Sequence, residues 1–508
     1  MRLSILVVLV TLYLQSCNSK KDLGLIEGTS HCDSTLESDT ISIKSLLSPY
    51  QQRLDTTTGV FVLEDGGTSM ISRAWWTSHA TKTIDIQYFI FSTDNIGLIA
   101  CDYLVKAAER GVKVRILIDD IMVNAEAEDL MKLNAHHNIS LKVYNPGANL
   151  GKSLLGKISN LLKDFRSFNQ RMHNKTFIVD NTLVITGGRN IADEYFDYDH
   201  EYNFRDRDIM LVGKATNQVT GSFEQYWNSD LSVDLNQLTD YRIEEADVRF
   251  DLLHEYACNP ENFWPEVRDQ LVGYPTFFRS INDSNQMVWL ENIEFVVDEP
   301  GKNDGTEGLS GGGVTTSKLI ELINDSKSSV DIQSPYLVTT ELGKKVFKAA
   351  IDRGVKIRIL TNSLASTDNA EAFSGYQKDR NELLEMGVQL YEFKPDAKVR
   401  TEVMNSALEN NEDFNPIFGI HAKTMVIDSN VSVVGTFNLD PRSANLNTEC
   451  FVVVQDSFIA KSITNHFEIE TGSENAWTIT KDFNPDSEVS KSKRVKTWTR
   501  KILPKSIL

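Results

Sequence analysis

The strongest constraint on this chain's fold is that its sequence says nearly the same thing twice. TIDIQYFIF (83–91) recurs as VDIQSPYLV (330–338), and AAERGVKVRILID (107–119) as AAIDRGVKIRILTN (349–362). NAEA stands at 124–127 and again at 369–372, ISLKVYN (139–145) returns as VQLYEFK (388–394), and HNKTFIVD (173–180) as HAKTMVID (421–428). A register of roughly 245 residues held over five segments is no coincidence, and it is far too long for a solenoid repeat. Two copies of one domain are therefore expected.

Each copy alternates short β-branched runs with helical stretches. In the first, the run at 83–91 leads into a helix around 96–110, with Ile99, Tyr103 and Ala107 at helical spacing. Gly111 stops that helix, and VKVRILID follows as a buried strand. This alternation predicts an α/β fold with two similar domains. Each is a mixed, mostly parallel β-sheet flanked by helices, and the functional groove lies where the copies meet. The expected division is a leader at 1–16, a tether and lead-in at 17–59, one domain at 60–239, a structured connector at 240–285, the second domain at 286–480 and a basic tail at 481–508.

The chemistry sits in a repeated pattern, H-x-K-x4-D-x6-G-x-x-N. The first copy supplies His173, Lys175, Asp180, Gly187 and Asn190, and the second His421, Lys423, Asp428, Gly435 and Asn438. At ~5% usage per position, five fixed positions match by chance about 3 times in 10 million. On a strand, H-x-K puts both side chains on one face, because strand side chains alternate with period two. The glycine lets backbone come close, and the asparagine brings an amide. Two facing copies then offer two imidazoles, two ammonium groups and two amides. That set suits phosphodiester chemistry: the cations and amides stabilise a five-coordinate phosphorus, one neutral His attacks, and the other, protonated, serves the leaving oxygen. The lysines do the electrostatic work, so no metal and no cofactor is expected.

The N-terminus, MRLSILVVLVTLYLQSCNSK, is an address rather than part of the fold. One cation, Arg2, precedes a twelve-residue apolar run of about 18 Å, too short for a hydrocarbon core of about 30 Å. It suits a secretory signal. The run ends in LQSC, which resembles the lipobox of bacterial lipoproteins, with Gln15 larger than the usual residue there. Cleavage would leave an acylated Cys17 as an anchor, and the protein as an envelope lipoprotein facing the periplasm or exterior. The other cysteines, Cys32, Cys101, Cys258 and Cys450, form no C-x-x-C pair, which argues against a zinc knuckle or a thioredoxin-type motif.

The paired motifs are those that define the phospholipase D superfamily, which the chain resembles from about 60 to 480. The resemblance is closest to bacterial cardiolipin synthases of the lipoprotein-like branch. It is carried by RMHNKTFIVDN…GGRNIADEYF (171–196), TNSLASTD (361–368) and GTFNLDPRSANLNTE (435–449). It implies a ping-pong route through a phosphatidyl-histidine, with His173 as nucleophile and His421 as acid and later base. Asp180 and Asp428, though part of the motif, are expected to buttress loops. Glu449, 28 residues after His421, matches the family carboxylate that orients the imidazole. Asp208 is expected to do so for His173, with Asp206 as competitor. Gly188 departs from the Ser or Thr of many members, whereas Thr436 keeps the hydroxyl. A hydroxyl contact to phosphate is thus expected on one side only.

Two basic segments are candidates for meeting lipid. LGKSLLGKISNLLKDFRSF (150–168) carries Leu154, Leu155, Ile158, Leu161, Leu162 and Phe165 on one helical face. The stretch 491–508 has seven Lys or Arg, no acid, and Trp498, Ile502 and Leu503 interleaved. The expected substrates are phospholipids, phosphatidylglycerol foremost and phosphatidylethanolamine as a further candidate, at a membrane surface. Sequence leaves protein partners open. It also leaves open hydrolysis by the same residues, as in a phospholipase D releasing phosphatidic acid. A nuclease is disfavoured by the lipobox and by a formal charge of −19, from 52 Lys and Arg against 71 Asp and Glu. A non-catalytic envelope lipoprotein is disfavoured by intact His, Lys and Asn in both copies.

Overall fold

The computed structural model describes residues 41–120, 127–146, 170–238, 242–263, 265–302, 311–404 and 416–507. The signal-like segment with Cys17, residue Cys32 and the basic stretch 150–168 lie outside the described residues. Among the described residues no helix is long and apolar enough to cross a membrane.

The first sheet is built from β1 (Thr58–Leu63), β2 (Thr83–Tyr88), β3 (Lys113–Asp119), β4 (Ile139–Tyr144), β5 (Thr176–Val179), β6 (Leu183–Gly187), β8 (Asp208–Gly213), β9 (Ser232–Asp234) and β10 (Val288–Leu290). Its order is β10-β1-β8-β6-β5-β2-β3-β4-β9. A short strand, β7 (Tyr202–Arg205), stands apart from it. The second sheet contains β11 (Ile293–Val297), β12 (Ser329–Gln333), β13 (Lys356–Asn362), β14 (Gln389–Phe393), β16 (Thr424–Ile427), β17 (Val431–Gly435), β18 (Cys450–Gln455) and β19 (Ala476–Thr478), in the order β11-β18-β17-β16-β12-β13-β14-β19. Both are mixed sheets, and the repeat is plain in their middles. The parallel runs β2-β3-β4 and β12-β13-β14 are made by helical crossovers. The strands that follow the two His-Lys pairs are instead hairpins, β5-β6 and β16-β17, and join antiparallel. A tight turn allows nothing else.

Local chemistry explains the crossovers. Asp94 caps the helix Asn95–Glu109 by accepting from the Gly97 N–H, and Thr340 caps Glu341–Asp352 through Gly343. Each helix ends before a glycine at positive φ, Gly111 at 95° and Gly354 at 91°, a conformation glycine adopts without strain. On the parallel strands, Asp85 faces Arg115 at 2.7 Å and Asp331 faces Arg358 at 2.6 Å, the same ion pair in both copies.

The motif hairpins are buried on both faces, and alternation sends their side chains to two different cores. Phe177, Val179, Leu183 and Ile185 join the core beneath the helices Gly66–His79 and Asn95–Glu109. Ile178 and Val184, with Ile209 and Leu211 of β8, face Val426, Val434, Val452 and Val454 of the second sheet. The two sheets thus pack on each other through a shared apolar layer, each fully buried side chain contributing about 1.5–3 kcal/mol.

The expected boundaries shift slightly. Ile43, Leu46 and Leu47 of the lead-in are buried in the first half's core, as are Leu271, Tyr274, Phe278 and Ile281 of the connector helix Pro265–Asp283. The chain then adds β10 to the edge of the first sheet beside β1. The second half therefore begins at β11, later than residue 286. Cys101 and Cys450 are free and buried, and Cys258 is disulfide-bonded.

Candidate active site

Two short exchanges of backbone between the halves build the site. β7 pairs in parallel with β15 (Ile417–Ile420), the strand that runs into the second motif. The pairing continues as the N–H groups of His421 and Ala422 donate to the Arg205 carbonyl. A parallel bridge joins Met172 and Thr448, with the His173 N–H donating to the Thr448 carbonyl and the Thr448 N–H to the Arg171 carbonyl. Each exchange delivers the next residue of one half to the histidine of the other. Asp206 Oδ2 lies 2.6 Å from His421 Nδ1, and Glu449 Oε2 lies 2.8 Å from His173 Nδ1.

This corrects the expected partners. Glu449 serves His173, not the histidine of its own half, and Asp206 serves His421. Asp208, counted by offset from His173, opens β8 and is spent elsewhere. It binds Arg73 at 2.9 Å, accepts from the Ser69 hydroxyl, and takes the Arg189 N–H.

The carboxylates decide the tautomers. A proton held on Nδ1 leaves the Nε2 lone pair of a neutral imidazole free. Burial pushes His173 down to about 4, against the pull of Glu449 and with the help of Lys175. Burial, then the Lys423 ammonium, push His421 down to about 3. Lys175 is pushed down to about 7 by burial and then by Lys423, and burial brings Lys423 to about 8. The two half-sites therefore feel each other's charges, and an anion between them would relieve both lysines.

The lysines are not equivalent. Lys175 Nζ donates to the His173 carbonyl at 2.9 Å and lies over the Phe89 ring. Lys423 Nζ reaches the His421 carbonyl and also lies 2.9 and 3.1 Å from that ring's two nitrogens. Aromatic edges fix the imidazoles: Phe89 against His173 at 4.9 Å, and Tyr195 and Phe204 against His421 at 5.0 and 4.6 Å.

The glycines serve close approach. A Cβ on Gly187 would meet Arg207 and Asp208 of the next strand, and one on Gly435 would meet Cys450 and Phe451. A Cβ on Gly188 would stand 2.0 Å from Asp206 Oδ1. This accounts for the departure at that position. The short Asp206 side chain reaches His421 only across a residue without Cβ. The longer Glu449 passes Thr436, whose hydroxyl donates to Glu449 Oε2 at 2.5 Å. The Thr436 hydroxyl is thus a brace for a carboxylate, not the phosphate contact expected. Ser443 adds a second brace, donating to Glu449 Oε1 at 2.6 Å.

Asp180 and Asp428 stay at the far ends of the hairpins. Asp180 and Asn181, like Asp428 and Ser429, have φ near +50° and form the tight turns. Asp180 accepts from the N–H groups of Thr81, Lys82 and Thr83, and Asp428 from those of Lys327, Ser328 and Ser329. They tie each hairpin to the chain entering β2 or β12, as expected of a buttress. Asn190 spends its Oδ1 on the Ile90 N–H, which leaves its amino group as the donor. Asn438 Oδ1 and Asn174 Nδ2 are buried without a protein partner, open to a ligand.

Sequence reasoning missed Asn174, Ser443, Phe89 and a buried charge cluster behind the site. Arg205 binds Glu470 at 2.5 Å and Glu64 at 2.5 Å, while Arg207 binds Glu64 at 3.0 Å, Gln333, and Thr424 at 3.0 Å. These residues flank Asp206 and link both halves. LDPRS already held Ser443, but nothing local marked it as a brace. Elsewhere, His136, His137 and Glu245 bring three potential metal-ligand atoms together. The Asn138 N–H donates to His136 Nδ1 at 3.1 Å, and His137 lies 3.1 Å from the Asn138 amide through Nε2 and 3.0 Å from Glu245 through Nδ1.

With this geometry the comparisons are unambiguous. Residues 77–227 and 319–470 match the family described as cardiolipin synthase, PLD-like domain. The chain belongs to this phospholipase D-like family. The first stretch covers β2 to β8 and the second β12 to β18, the central strands of the two halves. The chain is 31% identical to cardiolipin synthase C of Escherichia coli over 424 residues, 84% of this chain and 87% of that one. It is 33% identical to an uncharacterized protein of Helicobacter pylori over 447 residues, 87% of this chain and 85% of that one. The fold is shared with phosphatidylserine synthase of Haemophilus influenzae, at a TM-score of 0.59 and 11% identity, over 91% of this chain and 99% of that one.

Proposed function

We propose that the protein is a cardiolipin synthase-like phosphatidyltransferase. The observation that carries this reading is the pair of buried imidazoles, each held at Nδ1 by a carboxylate from the opposite half and each beside a lysine. The similarity to named cardiolipin synthases supports phospholipids as the substrate class.

His173 Nε2 attacks phosphorus of a donor phospholipid, and a phosphatidyl-histidine forms as the bond to the headgroup oxygen breaks. His421, neutral without substrate, takes a proton at Nε2 as the anionic phosphodiester enters between the lysines, and gives it to that leaving oxygen. The neutral His421 then takes the proton of an acceptor hydroxyl, for which the glycerol of phosphatidylglycerol is suited, and the phosphatidyl group passes to it. Lys423 lies against both nitrogens of His421, while Lys175 passes His173 for its carbonyl; this asymmetry favours His173 as the nucleophile. Lys175, Lys423, Asn190 and Asn438 hold the non-bridging oxygens. Two ammonium groups at the centre fill the electrostatic role of a metal and would repel a divalent cation. The reading includes an envelope location with Cys17 acylated. Palmitate labelling that persists in Cys17→Ala would remove that part.

The test is a product assay with labelled phosphatidylglycerol, with and without phosphatidylethanolamine, in buffer containing a chelator. Cardiolipin is the expected product. Phosphatidic acid in its place would reassign the enzyme to hydrolysis, and loss of turnover with the chelator would overturn the metal-free route. An acid-labile lipid adduct should accumulate in His421→Ala and be absent from His173→Ala; the reverse pattern exchanges the two roles.

A further inference from the structure

The tail expected at 481–508 is folded, and it stands at the rim of the site. Its helix, Lys491–Arg500, is capped by Ser490, and a last turn at Lys505–Ile507 lies beside the helix Pro441–Asn445 that follows Asn438. Several contacts hold it. Arg500 pairs with Glu371, Lys505 with Asp379, and Lys378 donates to the Leu503 carbonyl at 3.1 Å. Thr497 is fully buried, and Leu503, like Tyr336, packs against Val338 and Ala372. These contacts reach toward the chemistry. The Tyr336 hydroxyl donates to Asp368 at 2.8 Å, Asp368 feels the charge of Lys423, and the Val338 N–H donates to the carbonyl of Leu439, next to Asn438. Lys493 of the tail also feels the charge of Asp368.

The outer surface of this element is unlike the rest of the molecule. Among the described residues, the three most exposed large apolar side chains are Val495, Trp498 and Ile502, at 60%, 67% and 87% exposure. Val495 and Trp498 lie one turn apart on the helix and Ile502 in the turn just past its end, and all three are open to solvent. Of the seven cations in 491–508, Lys491 and Lys496 are exposed, Lys493, Arg494 and Lys501 are half-buried, and Arg500 and Lys505 are spent on Glu371 and Asp379; no acid falls in the stretch, in a chain of formal charge −19.

We propose that the C-terminal helix docks on an anionic bilayer and, because Arg500 ties it to Glu371 and Leu503 braces it on Val338 and Ala372, sets the mouth of the site against that surface. The inference rests on the phospholipid reading above for what lies in the bilayer. An aliphatic and tryptophan patch between cations matches a lipid interface, where apolar side chains enter the acyl boundary, Trp rests at headgroup level, and each cation near the surface adds about 1 kcal/mol. A nucleic acid would use the cations and leave Val495 and Ile502 in water.

Two measurements on the full-length chain test this. The first uses bilayers with brominated acyl chains, with and without 30 mol% phosphatidylglycerol in phosphatidylcholine, and compares the wild type with Trp498→Phe. Bromine should quench the wild type more than the variant in the anionic bilayers, and the difference should vanish in neutral ones. Equal quenching of the two proteins in anionic bilayers overturns the proposal, whatever else tethers the chain. The second compares turnover in anionic bilayers with turnover in mixed micelles for Val495→Ser/Trp498→Ser/Ile502→Ser. The bilayer-to-micelle ratio should fall about tenfold with micellar activity unchanged; an unaltered ratio overturns the coupling. Absence of turnover in both media would count against the phospholipid chemistry, while the quenching would still decide the docking.

Discussion

Two neutral imidazoles among charged neighbours make the pH behaviour of this site readable from single residues. His173 and His421 sit at about 4 and 3, so they stay neutral until the solution is distinctly acid. Lys175 and Lys423 sit at about 7 and 8, so they lose their charge as pH rises through that range. His421 must take up a proton to serve the leaving oxygen, so kcat/KM should fall on the alkaline side, most steeply between about 7 and 8 where the lysines discharge, and should have its acid limb near pH 4, where His173 takes a proton. Glu449 raises the His173 value, so Glu449→Gln should move the acid limb lower. It should also reduce kcat by roughly 10²–10⁴-fold, measured as initial rates with saturating lipid. At this scale the sequence was legible where spacing is local. H-x-K is a local statement, and both pairs enter the site together, although they stand just before β5 and β16 and not on a strand as expected. The carboxylates were not legible, because 276 residues separate Glu449 from His173 and 215 separate Asp206 from His421. Counting forward from His173 led to Asp208, which is paired with Arg73, and counting from His421 led to Glu449, which serves the other histidine.

At the scale of single elements, the motif is a hairpin with a chemical end and a structural end. The aspartates at the structural end bind loop N–H groups from a left-handed turn position. Asp180→Ala or Asp428→Ala should therefore cost stability, about 2–4 kcal/mol by urea unfolding, while kcat of the folded protein holds. At the chemical end, Gly188→Ala should do the opposite. Its Cβ would enter the space of Asp206, so kcat should fall with little change in the unfolding midpoint. Strand and helix positions were readable from apolar runs, from Asp94 and Thr340 as caps, and from Gly111 as a stop. Which neighbours pair antiparallel was not, because that depends on the two-residue turns at 180–181 and 428–429. Nor was the return of residues 288–290 to the first sheet, since three residues carry too little pattern to name a partner.

At the scale of the molecule, the halves are joined by an apolar layer between sheets and by buried charge around Asp206. The charge cluster is the more fragile of the two. Arg205→Met would strand Glu470, which is fully buried, and should cost about 3–5 kcal/mol. Arg205→Met with Glu470→Met should cost less than the sum of the single changes, and a double-mutant cycle by denaturant titration reads that coupling. The duplication itself was the most legible feature of all, since five matched segments fix it without any structure. The crossing of the carboxylates has a consequence for how such a duplicated chain can change over time. Two separate identical copies would be bound to keep identical half-sites. Once covalently joined, each half can accept changes that suit only its own side, and here Asp206 over Gly188 differs from Glu449 over Thr436. Linkage thus gives the reaction a direction: one histidine can specialise in taking the lipid and the other in handling the proton, while neither half can drift away from the other without disarming it.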